Sequence, residues 1–296
     1  MSKKIVIFGG SGYIGSNLIP QLLIKGYKVE NYDIHNVNLK DEKLTFSKCN
    51  VLTSNPKIDF TNTAAVINLI GSPINVRWNQ KNLNQIYQTR VLSNRKISAA
   101  IKESEKKPKC FISASGISVY KLNSKKNNEE SSTSNRLIAN LVKDWEKHVL
   151  ESKVRNIVLR QATVIGKDSQ FIKTLLKPFK YFTSITPGTG KQTLPFIHID
   201  DLVSVYINAI ENEKYEGIIN AVSPEKSSFN HILEIIENVK HPFLKIHIPK
   251  FFLKLIFKDF ANEICESIEA QPDKLIKNRF KFKYTHIKTA ILDSIN

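Results

Sequence analysis

Cysteine is scarce in this sequence, and long apolar runs are absent. Cys49, Cys110 and Cys265 lie far apart in the 296 residues and show no metal-ligand spacing. This pattern provides neither a zinc site nor a disulfide framework, so we expect buried free thiols and no bound metal. No apolar run approaches the roughly 20 residues that a membrane-spanning helix needs. The sequence therefore predicts a cytoplasmic protein without a membrane partner.

Acidic residues are also in the minority. The sequence has 27 Asp and Glu against 44 Lys and Arg, which gives a formal net charge of +17. A basic excess can attract RNA, DNA or an anionic membrane surface. Most of the lysines are scattered, however, and no five basic residues are consecutive. We therefore favour a solvated basic surface and keep nucleic-acid binding as an alternative.

The arrangement of apolar residues indicates an α/β fold. Short β-branched runs alternate with stretches of helical periodicity, which is typical of βαβ units around a parallel sheet. We predict a Rossmann-type doubly wound parallel sheet over residues 1–165, completed by later segments. A smaller substrate-side and C-terminal α/β region is predicted over residues 166–296, interleaved with the first. The predicted strands cover 5–8, 28–32, 65–70, 110–114 and 156–159, and the predicted helices cover 13–24, 83–101 and 137–150.

A glycine-rich turn follows the first predicted strand. Gly9, Gly12 and Gly15 are spaced three apart, directly before a helical pattern. In a dinucleotide-binding turn, the first glycine permits the tight bend and the second lets the backbone approach the pyrophosphate. The third lets the helix pack close to the strand. Unpaired N–H groups at the start of the helix then face the phosphates, so this segment predicts a dinucleotide site.

Asp33 ends the second predicted strand, 18 residues after Gly15. A carboxylate at this place can accept both hydroxyls of the adenosine ribose, and it repels a 2′-phosphate. We therefore expect NAD in preference to NADP. NADP stays open because His35, two positions later, can soften the discrimination. The alternative interpretation of Asp33 is an exposed residue that ends a strand.

Short segments throughout the chain follow the pattern of one family. The turn from Gly9 to Ser16 is close to that of UDP-galactose epimerases. The other matching segments are residues 68–74, Arg77 with Trp78, 89–91, 113–115 with Tyr120, Trp145 with Glu146, 159–160 with Gly166, 188–192, 196–198 with Asp201, and 271–272 with Leu275. The chain resembles the extended short-chain dehydrogenases/reductases. Within them it is similar to an atypical NAD-dependent epimerase/dehydratase-like "epimerase family", formerly labelled cell-division inhibitor-like.

The resemblance implies cofactor contacts beyond the three glycines. They follow predicted strands at the carboxyl edge, where open α/β sheets bind ligands. Asn50 stands where many relatives carry Asp, and its amide oxygen can still accept a hydrogen bond from adenine. The implied contacts are Tyr13 and Ile14 in the turn, Asn50 and Val51 at the adenine, Leu69, Ile70 and Gly71 along the pyrophosphate and ribose, and Ala162, Thr163 and Val164 near the nicotinamide.

The usual acid/base pair of the superfamily is missing. The resemblance implies a Tyr and, four residues later, a Lys, because an alcohol proton must move during hydride transfer. Leu137 and Leu141 occupy those places. Ser115 is implied as the substrate-orienting hydroxyl, and Tyr120 is the candidate replacement acid. Alternatively, Tyr120 packs beneath the nicotinamide.

Four further side chains are candidates for binding the substrate. Arg77, Trp78 and Arg90 can clamp a planar or anionic group. The alternative is that Trp78 belongs to the core and that Arg90 caps a helix or binds a carboxylate. His198 can donate to a substrate, or else it caps a helix or acts at a hinge.

We therefore predict an NAD-binding oxidoreductase or epimerase-like enzyme for a small polar or sugar-like substrate, with a nonstandard acid/base group. The missing Tyr and Lys leave open a non-catalytic dinucleotide-binding redox sensor. The net charge of +17 leaves open an RNA-binding relative of the fold. The expected partner is a small molecule, and the chain is expected to be a monomer or a homodimer.

Overall fold

The computed structural model describes residues 3–54, 58–124 and 126–295. Its strands are β1 (Lys4–Phe8), β2 (Lys28–Asp33), β3 (Leu44–Lys48), β4 (Thr63–Asn68), β5 (Cys110–Gly116), β6 (Arg155–Gln161), β7 (Thr163–Ile165), β8 (Thr183–Pro187), β9 (Phe196–His198), β10 (Gly217–Ala221) and β11 (Leu244–Ile248). Its helices are α1 (Tyr13–Ile24), α2 (Gln80–Tyr87), α3 (Ser93–Glu103), α4 (Leu137–Leu150), α5 (Gln170–Leu176), α6 (Ile199–Glu211), α7 (Phe229–Lys240), α8 (Lys250–Phe257), α9 (Phe260–Cys265), α10 (Asp273–Lys277) and α11 (Ile287–Ile295).

Seven parallel strands form the main sheet, in the order β10-β6-β5-β4-β1-β2-β3. Successive side chains of the central strand β1 point to opposite faces. Ile5 and Ile7 pack with α1 and α6 on one face. Val6 and Phe8 pack with α3 and α4 on the other. Helices thus cover both faces, and the predicted Rossmann-type doubly wound parallel sheet is confirmed.

The order of the strands reverses beside β1. The chain passes from β1 to β2 and β3 on one side and returns to β4 on the other. The loops that follow β1 and β4 therefore leave the sheet in different directions. Such a reversal opens a crevice at the carboxyl ends of the strands, which is where open α/β sheets bind ligands.

A second, smaller core lies outside the main sheet. Two short parallel pairs, β7 with β9 and β8 with β11, accompany it. The apolar faces of α5, α7 and α11 meet there through Ile172, Ile232 and Ile291. The residues beyond 165 also contribute α6 and β10 to the main sheet layer. The division into 1–165 and 166–296 stays a prediction.

Several elements differ from the sequence-based expectation. The predicted helix over 83–101 is α2 followed by α3, joined by a π-helical segment, Gln88–Leu92. The predicted strand over 65–70 is β4, which begins and ends two residues earlier. Strand β3 was not predicted. It is a partly exposed edge strand, and its two apolar residues, Leu44 and Phe46, are too few to establish the alternation that marks a strand.

Some classes of site are not found in the described ranges. No helix there is both long and apolar enough to cross a membrane. Across the same ranges, no three His, Cys, Asp or Glu side chains are grouped in a way that would hold a metal ion. The cysteines are free thiols, of which Cys110 is buried whereas Cys49 and Cys265 are partly exposed. The expectation of buried thiols therefore holds for Cys110 only.

Candidate functional site

The glycine-rich turn joins β1 to α1, and its three glycines have different surroundings. Gly9 has a φ of +78°, and a Cβ atom there would lie 2.9 Å from the backbone nitrogen of Ile70. A Cβ atom at Gly15 would lie 2.3 Å from the backbone oxygen of Gly10. At Gly12 the nearest atom would be 3.5 Å away. Two of the glycines thus allow close packing, whereas a Cβ atom at Gly12 would make only an ordinary van der Waals contact.

The N-terminus of α1 lies on a cleft, which Gly12, Tyr13 and Ile14 help to line. Gly12 caps the helix without any side-chain hydrogen bond, and the first turn of α1 contains no acidic residue. The first N–H groups of a helix lack partners within the helix and attract anions. The backbone here is therefore suited to a phosphate group.

Asp33 is fixed at the carboxyl end of β2, next to the turn. Its carboxylate accepts hydrogen bonds from the backbone N–H groups of Ser11, at 2.8 Å, and Ile34, at 2.7 Å. Each carboxylate oxygen keeps further lone pairs. The side chain can therefore orient the turn and still accept a ribose hydroxyl.

A cleft of about 580 Å³ opens beside the turn, within the usual size range of ligand pockets. Most of the expected cofactor residues line it. Asp33, Asn50 and Val51 are not among its lining residues. Val51 is buried in the core, and the side-chain oxygen of Asn50 accepts a hydrogen bond from the N–H of Leu52 at 3.0 Å. The expected residues that line the cleft are Gly9, Gly12, Tyr13, Ile14, Gly15, Leu69, Ile70, Gly71, Ala162, Thr163 and Val164.

An apolar wall stands where the superfamily places its acid/base pair. Leu141 lines the cleft together with Ile138 and Val142 of the same helix, α4. Leu137 is 50% exposed and does not line the cleft. Neither leucine can exchange a proton, so any acid or base must come from elsewhere on the cleft.

Ser115 lines the cleft at the end of β5 and is tied to a buried ion pair. Its hydroxyl donates to Glu146 at 2.7 Å. Glu146 also accepts two hydrogen bonds from the guanidinium of Arg160, at 2.8 and 2.7 Å. Both charged side chains are 4% exposed. The pair therefore holds the Ser115 hydroxyl in one orientation.

Tyr120 lies behind the cleft rather than in its wall. The side chain is fully buried, and burial raises the pKa of its hydroxyl. This hydroxyl donates to Asn220 at 2.7 Å and accepts from Arg160 at 3.0 Å. Its hydrogen-bonding capacity is thus used within the core. This placement favours the packing alternative for Tyr120 over a role as a catalytic acid.

The proposed clamp of Arg77, Trp78 and Arg90 does not form as expected. Trp78 is buried in a core cluster and donates its indole N–H to the backbone oxygen of Ile74 at 3.0 Å. Arg77 is exposed and does not line the cleft. Arg90 does line the cleft, and the indole beside it belongs to Trp145, with 5.2 Å between the guanidinium carbon and the ring centroid.

His198 also lies outside the cleft lining. It caps α6, because its Nδ1 accepts from the N–H of Asp200 at 3.2 Å. Its ring is buried against Tyr284, and burial lowers the pKa of the imidazole. The capping alternative describes this placement, and a contact between His198 and a substrate stays a prediction.

The C-terminal part of the chain contributes side chains that sequence reasoning missed. Glu263 of α9 lines the cleft and forms an ion pair with Arg136. Burial raises the pKa of Glu263, and Arg136 partly opposes this effect. Gln192 also lines the cleft and donates to the backbone oxygens of Pro187 and Ile264, at 2.9 and 3.1 Å. Arg136 and Glu263 are 127 positions apart, and Gln192 and Ile264 are 72 positions apart, so no local sequence signal marks these two contacts.

Two features of the structure together define the class of protein. A glycine-rich turn joins the central strand to the first helix, and a cleft opens beside it at the carboxyl edge of a parallel sheet. This is the arrangement of a Rossmann-type dinucleotide-binding protein. The model of the NAD dependent epimerase/dehydratase family matches residues 5–221, and the chain belongs to this family. A second model, a domain of unknown function called DUF1731, matches residues 248–294.

Similar proteins match nearly the whole chain. The epimerase family protein YfhF of Bacillus subtilis strain 168 is 26% identical over 293 residues, which cover 97% of this chain and 96% of YfhF. The crystal structure of the human epimerase family protein SDR39U1 (isoform 2) with NADPH has a TM-score of 0.83 at 21% identity, over 97% of each chain. MoeE5 in complex with UDP-glucuronic acid and NAD has a TM-score of 0.81 at 17% identity, over 99% of this chain and 97% of MoeE5.

These findings confirm the resemblance to the epimerase family. They also confirm the expected cofactor class, NAD(P), because the family to which the chain belongs is NAD dependent. The two structural neighbours were crystallised with different dinucleotides, NADPH in SDR39U1 and NAD in MoeE5.

Proposed function

We propose that this chain binds NAD in the cleft and transfers a hydride to or from a small polar, sugar-like substrate, as an oxidoreductase or epimerase-like enzyme. The observation that carries the proposal is the continuity of the cleft. It extends from the glycine-rich turn, past Ser115, to α9 of the C-terminal region. One ligand can therefore lie on the turn while a second lies against α9. The structural neighbour MoeE5 was crystallised with both NAD and a UDP-sugar.

The preference for NAD over NADP rests on Asp33. Its carboxylate is held next to the turn by two backbone N–H groups. A 2′-phosphate placed against it would meet a negative charge, whereas a free ribose hydroxyl would gain a charge-assisted hydrogen bond of about 1.5–3 kcal/mol. We therefore propose NAD as the cofactor, although the human relative was crystallised with NADPH.

Titration calorimetry with NADH and NADPH tests this preference. We expect the unmodified chain to bind NADH at least about tenfold more tightly, and Asp33→Ala to narrow the ratio. Equal or tighter binding of NADPH by the unmodified chain would remove the argument from Asp33.

The chemistry requires a hydrogen-bond donor or acid beside the reacting carbon, because negative charge develops on a carbonyl oxygen as it accepts a hydride. NAD supplies the hydride carrier when it is bound. Ser115 presents its oxygen to the cleft while its proton is directed to Glu146, so it is suited to orient a substrate hydroxyl. Glu263 is a cleft carboxyl whose pKa is raised by burial against the opposing charge of Arg136, which makes it the candidate acid.

A spectrophotometric assay tests the enzyme hypothesis. NAD⁺ is mixed with the chain and a panel of sugars and UDP-sugars. Net oxidation is followed as NADH formation at about 340 nm, and epimerised products, which form without net NADH, are followed by NMR. Turnover that falls in Ser115→Ala and Glu263→Gln, while NADH affinity is kept, supports the assignment.

A second candidate function is a non-catalytic dinucleotide-binding sensor. The observation that favours it is the apolar wall of Leu141, Ile138 and Val142 in place of the usual acid/base pair. Tight NADH binding without turnover on any substrate of the panel would place this function first.

A further inference from the structure

We propose that Arg90 and Trp145 form a binding site, inside the cleft, for an anionic oxygen-bearing group of the ligand, either a phosphate or a carboxylate. The inference rests on the proposed function, and it gives the chemical class of group that the cleft recognises. Both side chains line the cleft.

The guanidinium of Arg90 has no counter-charge in the part of the chain that the structure describes. Burial alone lowers its pKa, to about 10, with no contribution from a neighbouring charge. The group therefore stays positively charged at neutral pH. Its Nη1 atom is buried and has no hydrogen-bond partner among the described residues. Uncompensated buried charges are costly, and a ligand anion would remove the cost.

Trp145 presents a second unused donor in the same place. Its side chain is 7% exposed, and its Nε1 atom also lacks a hydrogen-bond partner within the described ranges. The indole lies beside the guanidinium at 5.2 Å, in a cation–π contact. Buried polar atoms are usually hydrogen-bonded. Two contacting side chains that line the cleft, each with an unpaired buried donor, therefore indicate an acceptor that arrives with the ligand.

The backbone around Arg90 is specialised. Arg90 lies in the π-helical segment between α2 and α3, and single π-helical turns often occur at functional sites. Its guanidinium packs against the loop after β4, where a Cβ atom at Gly71 would lie 3.2 Å from the guanidinium carbon. Thr89 holds the same loop by accepting a hydrogen bond from the N–H of Ser72 at 3.1 Å. The cation thus faces the loop that is expected to follow the pyrophosphate and ribose.

The chemistry of the site selects the ligand group. A guanidinium offers several N–H donors in a planar fork, which fits carboxylates and phosphates. A neutral hydroxyl cannot compensate the charge. The anionic oxygens can come from the diphosphate of the cofactor or from a carboxylate on the substrate.

The test compares Arg90→Met with Arg95→Met, a matched change at an exposed arginine of α3. NADH is titrated into each variant. D-glucuronate and D-glucose, which differ by the carboxylate, are then compared on the NADH-loaded chains by saturation-transfer NMR.

A loss of NADH affinity of about 10- to 100-fold in Arg90→Met alone assigns the anion to the cofactor. Unchanged NADH affinity with loss of glucuronate binding assigns it to the substrate. Trp145→Phe is expected to weaken the same ligand by a smaller factor.

Unchanged binding of both NADH and glucuronate in Arg90→Met overturns the proposal. Because Arg90 is uncompensated without ligand, we expect Arg90→Met to melt no lower than the unmodified chain. A clearly lower melting temperature with unchanged ligand binding would show a structural role instead. Inorganic pyrophosphate, titrated into the ligand-free chain, separates this proposal from the proposed function. Binding that depends on Arg90 keeps the anion site even if NADH does not bind.

Discussion

The buried pair of Glu146 and Arg160 provides the sharpest test of how the site is held together. Glu146 accepts three hydrogen bonds, one from Ser115 and two from Arg160. Replacing Glu146 by Leu removes all three and leaves a guanidinium buried without a counter-charge. Breaking a buried pair in this way costs about 3–5 kcal/mol. The double variant Glu146→Leu, Arg160→Met removes both charges, and we expect it to recover at least about 2 kcal/mol of that loss.

Urea unfolding followed by circular dichroism measures these differences from the midpoints, provided that the slopes agree between variants. Glu211→Gln is the matched control. Glu211 pairs with Lys25 at 3.1 Å, but both side chains are more than 40% exposed, so we expect a change below about 1 kcal/mol. A cost below about 1 kcal/mol for Glu146→Leu, or a double variant no more stable than the single one, would refute the reasoning.

Three further outcomes follow from the geometry of the cleft. Gly12→Val keeps the circular dichroism spectrum, because the nearest atom that its Cβ meets beyond the adjoining backbone lies 3.5 Å away. It abolishes NADH binding, because its side chain occupies the space that the pyrophosphate needs. Full NADH affinity would place the dinucleotide elsewhere. Gly15→Ala lowers stability by about 1–3 kcal/mol in urea unfolding, because its Cβ meets the Gly10 backbone oxygen at 2.3 Å; an unchanged midpoint would contradict this. Ser115→Ala lowers turnover about 100-fold, because the substrate hydroxyl loses the oxygen that orients it, whereas Tyr120→Phe keeps turnover and loses about 1 kcal/mol of stability. A loss of turnover in Tyr120→Phe as large as that expected for Ser115→Ala would instead support Tyr120 as a catalytic residue.

The net charge of +17 leads to an expectation about the binding of RNA. Binding of RNA by scattered lysines should be weak, independent of sequence, and steeply reduced between low and physiological salt. A filter-binding salt series checks this. Tight binding that persists at about 200 mM salt would support the RNA-binding alternative.

The glycine-rich turn and the end of β2 could be predicted because their determinants are local. Gly9, Gly12 and Gly15 lie in one turn, and Asp33 ends the next strand. Their roles follow from backbone geometry that a short segment fixes by itself. The residues implied by the family resemblance at 69–71 and 162–164 line the cleft as well.

The surroundings of Arg90 and Glu263 could not be predicted, because their contacts join distant segments. The sequence offered Trp78 beside Arg77 as the indole of a clamp, yet Trp145 is the indole that reaches Arg90. Periodicity also continued from α2 into α3 without indicating the π-helical segment that carries Arg90. Glu263 comes from a helix more than a hundred residues after Arg136, its ion-pair partner.

The edge position of β10 has a consequence for the newly made chain. On its outer side β6 pairs with β10, and β10 ends 60 residues later in the sequence than β6. At roughly 5–20 residues per second, translation needs about 3–12 seconds to supply that neighbour. During this interval β6 presents unpaired N–H and C=O groups, which favour aggregation. The segment between the two strands therefore sets the shortest time for which the outer edge of β6 stays unpaired during synthesis.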